Sequence, residues 1–186
     1  VENLELVEPS LRYRQQMLEM AAEALAAGDD RYQQALDMEF EDYIARLQRF
    51  AQGIGLPEGH VRQTTFWLVR DGQILLGSLR LRHDLTPEVE REHGQIGYDI
   101  RPSQRGKGYG TRQLALGIQK ARELGFTRVL VTCDVANLAS GRVIEKNGGV
   151  LENILILEPS GERISRDWID LIALDSNLPV SAEVVE

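Results

Sequence analysis

The residues best suited to chemistry lie in one short run, Arg105-Gly106-Lys107-Gly108-Tyr109-Gly110, set between a strand-like segment and the start of a helix. Glycine tolerates left-handed dihedrals and close approach, so alternate glycines can turn several backbone N–H groups toward one point. The helix that opens at Thr111 adds unpaired N-terminal N–H groups and the positive end of its dipole. Together they suit a phosphate or pyrophosphate. A Walker loop requires G-x-x-x-x-G-K-[ST], and no Gly-Lys-Ser or Gly-Lys-Thr occurs in the chain. A dinucleotide fingerprint requires G-x-G-x-x-G, whereas the spacing here is G-x-G-x-G and the preceding strand follows a hairpin. The run does satisfy [QR]-x-x-G-x-[GA] in full.

A loop of this kind needs a frame. Leu4 to Val7 is a short strand candidate, and Ser10 is a plausible N-cap for a first helix with Leu11, Leu18, Ala22 and Leu25 on one stripe, stopped by Gly28. Leu36, Phe40, Tyr43, Ile44 and Leu47 form the stripe of a second helix ending at Gly53. Thr64 to Arg70 and Ile74 to Arg82 make a hairpin across Asp71-Gly72. Residues 83 to 94 read as a loop, Gln95 to Ile100 as the strand entering the glycine run, and Thr111 to Leu124 as a helix stopped by Gly125. Arg128 to Val135 is strand-like and Leu138 to Lys146 a short helix; Val150 to Leu157 and Ile164 to Leu174 form a closing hairpin. The strand–helix–strand centre favours parallel pairing with a right-handed connection. The expected fold is α/β (α+β): one domain over residues 1–175, a mixed, mostly antiparallel sheet with helices on both faces, and a loosely ordered tail over 176–186.

The glycine run, together with Asn137, Ser140, Lys146 and Gly148 downstream, resembles the GNAT superfamily of acyl-CoA-dependent N-acyltransferases. The stretches GYDIRPSQRGKGYGT, TCD at Thr132 to Asp134 and EKNGG at Glu145 to Gly149 are similar to a bacterial subgroup of predicted acetyltransferases. The resemblance spans nearly the whole chain. It implies acetyl-CoA as cosubstrate, with pyrophosphate on the N–H groups of Arg105, Gly106, Lys107, Gly108, Tyr109, Gly110 and Thr111. It implies a pantetheine arm along Tyr98, Asp99 and Ile100, a thioester in the gap where that strand splays from the next parallel strand, and a hydrogen bond from Asn137 to the arm. Ser140 falls at the family's small-residue position. Arg105 and Lys107 add positive charge near phosphate. Asn137 also suits an N-cap, and Lys146 a helix-end charge.

Transfer of an acyl group from a thioester to an amine requires a neutral amine, a donor for the developing oxyanion and, for some leaving groups, a proton. A lysine-type amine has a pKa of about 10.4, so deprotonation is the pressing need; a thiol near 8.5 leaves tolerably unaided. The chain departs from the family at both catalytic places. The tyrosine seven residues after the asparagine is replaced by Ile144, and the glutamate early on the strand before the loop falls near Gly94. Substitute donors are Ser140, Tyr109 and Tyr98. Substitute bases are Glu92, His93, which titrates in a useful range, and Asp99. Strand alternation sets Asp99 and Tyr98 on opposite faces. The candidate catalytic set is His93, Glu92 and Tyr98. Arg80, Arg82 and His83, ending the first hairpin, are either a solvated strand end or a holder for an anionic group.

The remaining composition bounds the reading. The 186 residues carry a formal net charge of −8, which disfavours general nucleic-acid binding. One cysteine, Cys133, excludes an intrachain disulfide framework and fits a reducing, cytoplasmic compartment. No apolar run reaches membrane-spanning length, and no secretory signal pattern is visible. His60, His83 and His93 lack ligand spacing with one another and with Cys133, so no metal is expected. An edge strand at the closing hairpin would allow homodimerisation. The reading is an acetyl-CoA-dependent N-acetyltransferase acting by direct attack of a small-molecule or peptide amine. Its rivals are a non-catalytic acyl-CoA-binding or sensing domain and a dinucleotide-dependent oxidoreductase.

Overall fold

Seven strands and five helices follow the predicted order in the computed structural model, which describes residues 2–172. The tail expected over 176–186 lies outside them. Strands β1 (Leu4–Val7), β2 (Gln63–Arg70), β3 (Ile74–Arg82) and β4 (Ile96–Ile100) form one antiparallel sheet in that order. The β2–β3 turn uses Asp71 and Gly72, both with positive φ (52° and 64°), as a tight hairpin of this sequence type requires. A second antiparallel sheet has the order β5 (Arg128–Asp134), β7 (Glu162–Asp170), β6 (Val150–Leu157).

Alternation along β2 distributes the core. Trp67 and Val69 face helices α1 (Arg14–Ala26), α2 (Gln33–Asp37) and α3 (Phe40–Ala51), among Tyr13, Met17, Met20, Phe40 and Ile44. Phe66 joins Leu79, Leu81 and Ile96 on the other face, against Leu114, Ile118 and Ala121 of α4 (Tyr109–Glu123). A bulge opposite Leu68 and Val69 leaves Leu76 unpaired and re-phases β3. Beyond it Leu79 and Leu81 point to the α4 face, and Ser78, Arg80 and Arg82 to the α1–α3 face.

Two helical expectations change. The buried stripe of α1 is Met17, Met20, Ala21 and Ala24, not the one through Leu11, Leu18, Ala22 and Leu25; Leu11 and Leu25 are exposed. Both sets obey helical spacing, and a 3-10 turn at Leu11–Tyr13 sets the phase that presents the methionines to Trp67. The second helix is two helices, because Met38 is extended (φ −124°, ψ 166°). The 83–94 loop also contains a π-helical turn, Val89–His93.

The strands flanking α4, which the crossover pattern expects to pair, belong to different sheets. Gln95 N–H donates to Leu130 O at 2.7 Å, and Leu130 N–H to Gln95 Oε1 at 3.0 Å. A single isolated bridge joins Gly94 and Val131. Beyond it β4 and β5 share no ladder, and a gap opens between them. Arg101, at the far end of β4, is tied to α1 through Glu23 (2.7 Å) and Glu19 (3.1 Å), which holds that end in place.

Candidate active site

A cavity of about 700 Å³ opens where β4 ends. Tyr98, Asp99 and Ile100 line it from β4, Arg105, Gly106 and Gly108 from the loop, and Tyr109, Gly110 and Thr111 from the first turn of α4. Asn137, Ser140, Arg142 and Lys146 contribute from α5 (Leu138–Lys146) and its cap. The run singled out by spacing is therefore one wall of a real concavity.

The three glycines have two different jobs. Gly106 and Gly108 have φ of 75° and 82°, and Gly108 is the left-handed residue immediately before α4. Gly110 is helical; a Cβ there would stand 3.3 Å from Val143 Cγ2, so this glycine allows α4 and α5 to approach. The first turn of α4 holds no acidic residue that would compete with an anion. Arg105 lies across the loop with Nε donating to Ile100 O at 3.0 Å. Lys107 does not line the cavity; its Nζ donates to Gln104 Oε1 at 2.9 Å. Arg142 and Lys146, four residues apart, both reach the lining from one face of α5. That spacing is legible in the sequence. The lining carries Arg31, Arg105, Arg142 and Lys146 against Asp29 and Asp99, so it is locally cationic in a chain of net charge −8.

Asn137 Oδ1 accepts from Ser140 N–H at 3.1 Å, capping α5. Its NH₂ group has no protein partner among the described residues and remains available in the cavity. Tyr98 faces the α4–α5 side, with Oη 2.8 Å from Ser140 Oγ. Burial, only partly offset by that hydroxyl contact, pushes the Tyr98 phenol up to about 12, so it remains protonated at neutral pH. The other phenol near the loop, Tyr109, is buried with its hydroxyl engaged elsewhere. Its Oη accepts from Arg70 Nη1 at 2.8 Å and donates to Glu2 Oε1 at 3.1 Å. Ile144, at the family's tyrosine position, is buried in the core.

Tyr98 and Asp99 do take opposite faces. Asp99 accepts from Tyr32 Oη (2.6 and 2.7 Å) and Arg80 Nη1 (3.1 Å), and pairs with Arg31 Nη1 at 3.4 Å. Burial and the Asp99 charge hold the Tyr32 phenol well above its ordinary value. With these partners Asp99 is a structural anion rather than a free base. Glu92 and His93 sit in the π-turn before Gly94 and do not line the cavity. Glu92 pairs with Arg91, while burial and then Arg82 lower the His93 imidazole, leaving it largely neutral at pH 7. Asp167 has no local sequence signal, and Cys133 is only half-buried within its apolar strand. Asp167 on β7 is raised by burial and electrostatically senses Tyr98. Cys133, half-buried, has Sγ 3.3 Å from Ser165 Oγ. Both depend on the β5–β7 register, which no local pattern encodes. Among the described residues, no group of three or more His, Cys, Asp or Glu side chains could hold a metal ion.

These features can be set beside known proteins. The family model for the acetyltransferase (GNAT) domain matches residues 6–150. Among curated proteins none matches. Solved structures do. One is an acetyltransferase of Salmonella typhimurium that modifies the N-terminal serine of ribosomal protein L7/L12. It is 17% identical, with 90% of this chain and 94% of that one covered, at TM-score 0.64. The microcin C7 self-immunity acetyltransferase MccE, in complex with acetyl-CoA and AMP, is also 17% identical, over 90% and 92%, at 0.64. Mutant forms of the Vibrio cholerae spermidine/spermine N-acetyltransferase SpeG are 13% identical, over 96% and 100%, at 0.61. At these identities the structures show a shared fold. The family match covers most of the chain, including β4, the glycine loop, α4, β5 and α5, and by it the chain belongs to the GNAT acetyltransferase family.

Proposed function

We propose that this chain transfers an acetyl group from acetyl-CoA to a primary amine by direct attack, with no covalent acyl-enzyme. The observation that carries the reading is the cationic cavity joining the N-terminus of α4, the free edge of β4 and Asn137. Acetyl-CoA supplies an activated thioester. The chain's part is to hold and polarise it. The N–H groups from Gly106 to Thr111, with Arg105, Arg142 and Lys146, neutralise phosphate charge. Backbone along Tyr98 to Ile100 and the Asn137 amide align the pantetheine arm. Tyr98, still protonated at neutral pH, donates to the departing thiolate, with Ser140 orienting its hydroxyl.

Calorimetric titration with CoA, followed by an amine panel assayed for CoA release, tests this. Micromolar CoA binding with turnover is the expected result; absence of CoA binding to the folded protein would sink it. CoA binding with no transfer to any amine would support the sensing-domain alternative.

A pH profile tests the acid–base assignment. The cavity carboxylates Asp29 and Asp99 are both engaged by Arg31 or Arg80, so no free base lines it. The amine must then arrive neutral, and kcat/KM should rise about tenfold per pH unit from roughly pH 6 to 9 for an amine of pKa about 10. No falling limb is expected from Tyr98 in that range. A plateau reached through an ionisation below about pH 6.5 would instead make His93 the base, since its imidazole is shifted downward.

A cytoplasmic bacterial setting, with neither nucleic acid nor membrane as partner, belongs to the same proposal. Homodimerisation through β6 is supported by its edge position and by exposed Val150, Leu151 and Ile156.

A further inference from the structure

The α1–α3 face of β4 carries a cation without a matching anion. Arg80 and Arg82 extend from β3 on the same side, and Arg80 lies directly opposite Gly97 in the β3–β4 register. The two guanidinium groups converge. A Cβ placed on Gly97 would stand 3.5 Å from Arg80 Nη2, 3.5 Å from Arg82 Nη1 and 3.6 Å from Arg80 Nε. Two positive groups thus lie at contact distance over the face of a residue with no side chain.

Their partners are unequal. Arg80 is paired with Asp99, and Asp99 is shared with Arg31 and Tyr32. Arg82 has no carboxylate partner among the described residues. Its Nη1 meets only two backbone carbonyls, His93 O at 3.4 Å and Gly94 O at 3.2 Å. Burial and the Arg80 charge pull its guanidinium down to about 10, still charged at neutral pH. The other titratable groups here do not answer it. His93 and His60 repel each other, and Glu92 pairs with Arg91. A half-buried, unmatched guanidinium beside a second one is costly, and an incoming carboxylate would relieve it.

The space adjoins the proposed reaction centre. Gly97 precedes Tyr98 on β4, about 3.8 Å away between Cα atoms. Arg31 and Asp99 belong both to this cluster and to the cavity lining. An anion over Gly97 would therefore lie beside residues that also line the cavity.

We propose that Arg82, with Arg80, binds a carboxylate of the acceptor over Gly97, so that the acceptor is an amine bearing a nearby carboxylate and not a polyamine. This rests on the acetyltransferase reading above. The carboxylate comes either from a free α-amino acid or from an acidic side chain next to a peptide N-terminus.

The test compares acetyl transfer to α-amino acids, their amides, peptides with acidic or neutral second residues, and spermidine, in the wild type and in Arg82→Gln. The wild type should prefer the carboxylate form by about 10- to 100-fold in kcat/KM, as a charge-assisted pair implies. Arg82→Gln should bring that ratio toward one. Preference for free acid over amide identifies the amino-acid source; preference confined to acidic peptides identifies the side-chain source. Equal use of acid and amide, preference for spermidine, or an unchanged ratio in Arg82→Gln overturns the proposal while leaving acetyl transfer standing. If no amine is acetylated, calorimetry of acid and amide forms with the CoA-loaded protein still decides it: tighter binding of the acid, lost in Arg82→Gln, supports the site, and equal binding rejects it. Gly97→Asp is the second variant. Its tethered carboxylate should raise the melting temperature and abolish the acid preference, and a melting temperature lowered by that change counts against the site.

Discussion

Gly94→Ala should destabilise the chain by about 3 kcal/mol or more and abolish acetyl transfer. Gly94 has φ 62° and ψ −177°, a region that is essentially glycine-only and costs other residues on the order of 1–3 kcal/mol. Space is also lacking. A Cβ would stand 2.6 Å from Leu130 O, 3.1 Å from Leu130 C and 3.2 Å from Thr132 N. These are backbone atoms of β5 and cannot rotate away. Gly94 is also the last bridge between β4 and β5 before they part. Relief of the clash must widen that closed end, break the 2.7 Å bond from Gln95 to Leu130 and shift the gap itself. Urea unfolding and CoA titration of the variant check this; a stability within 1 kcal/mol of wild type would show that the two strands are not locked here. A side chain at this point would run into β5, so Gly94→Glu should fare no better than alanine.

Tyr98→Phe should lower kcat by about 100-fold, within the range for a positioned acid, while CoA affinity changes less than about threefold. Of the three substitutes for the absent tyrosine, the proposal assigns the task to Tyr98, whose hydroxyl meets only Ser140 beside the cavity. Tyr109 is consumed by Arg70 and Glu2, and Ser140 acts on Tyr98 Oη itself. Loss of the hydroxyl removes one hydrogen bond, worth about 1 kcal/mol, so the fold should survive. Single-turnover measurements separate chemistry from product release. An unchanged kcat with chemistry rate-limiting would mean that the thiolate leaves without a proton. Ser140→Ala should give a smaller loss than Tyr98→Phe, because it leaves the phenol in place but unoriented.

Much of this site could be read from local pattern. Asp71-Gly72, the alternation in β2 and β3 and the glycine run all specify their own backbone, since turn dihedrals and period-two burial are properties of neighbouring residues. Asn137 as a cap and Gly108 as the left-handed entry to α4 are of the same kind. The family resemblance extended that run to the proposed CoA cradle, which would be made mainly of backbone N–H groups whose placement one short segment controls.

Other features were not local. Two apolar stripes compete along α1, and only Trp67 and Phe40 across the core choose the methionine one. The chain carries a net charge of −8, yet the cavity and the Gly97 surface are cationic, because a summed charge does not say where charges face.

By itself the sequence determined the order of elements, the left-handed glycine loop before α4 and the residues that stand where the family's usual acid and base would be, because each is a matter of residue type and short spacing. Only the tertiary structure decided how the candidate substitutes are partnered. Tyr98 meets Ser140 from 42 residues away, Asp99 is held by Tyr32 just before α2 and by Arg80 of β3, and Arg82 is left facing Gly97. Those relations arise from the β3–β4 register and the parting of β4 from β5 at Gly94, where two backbones, not two side chains, set the geometry.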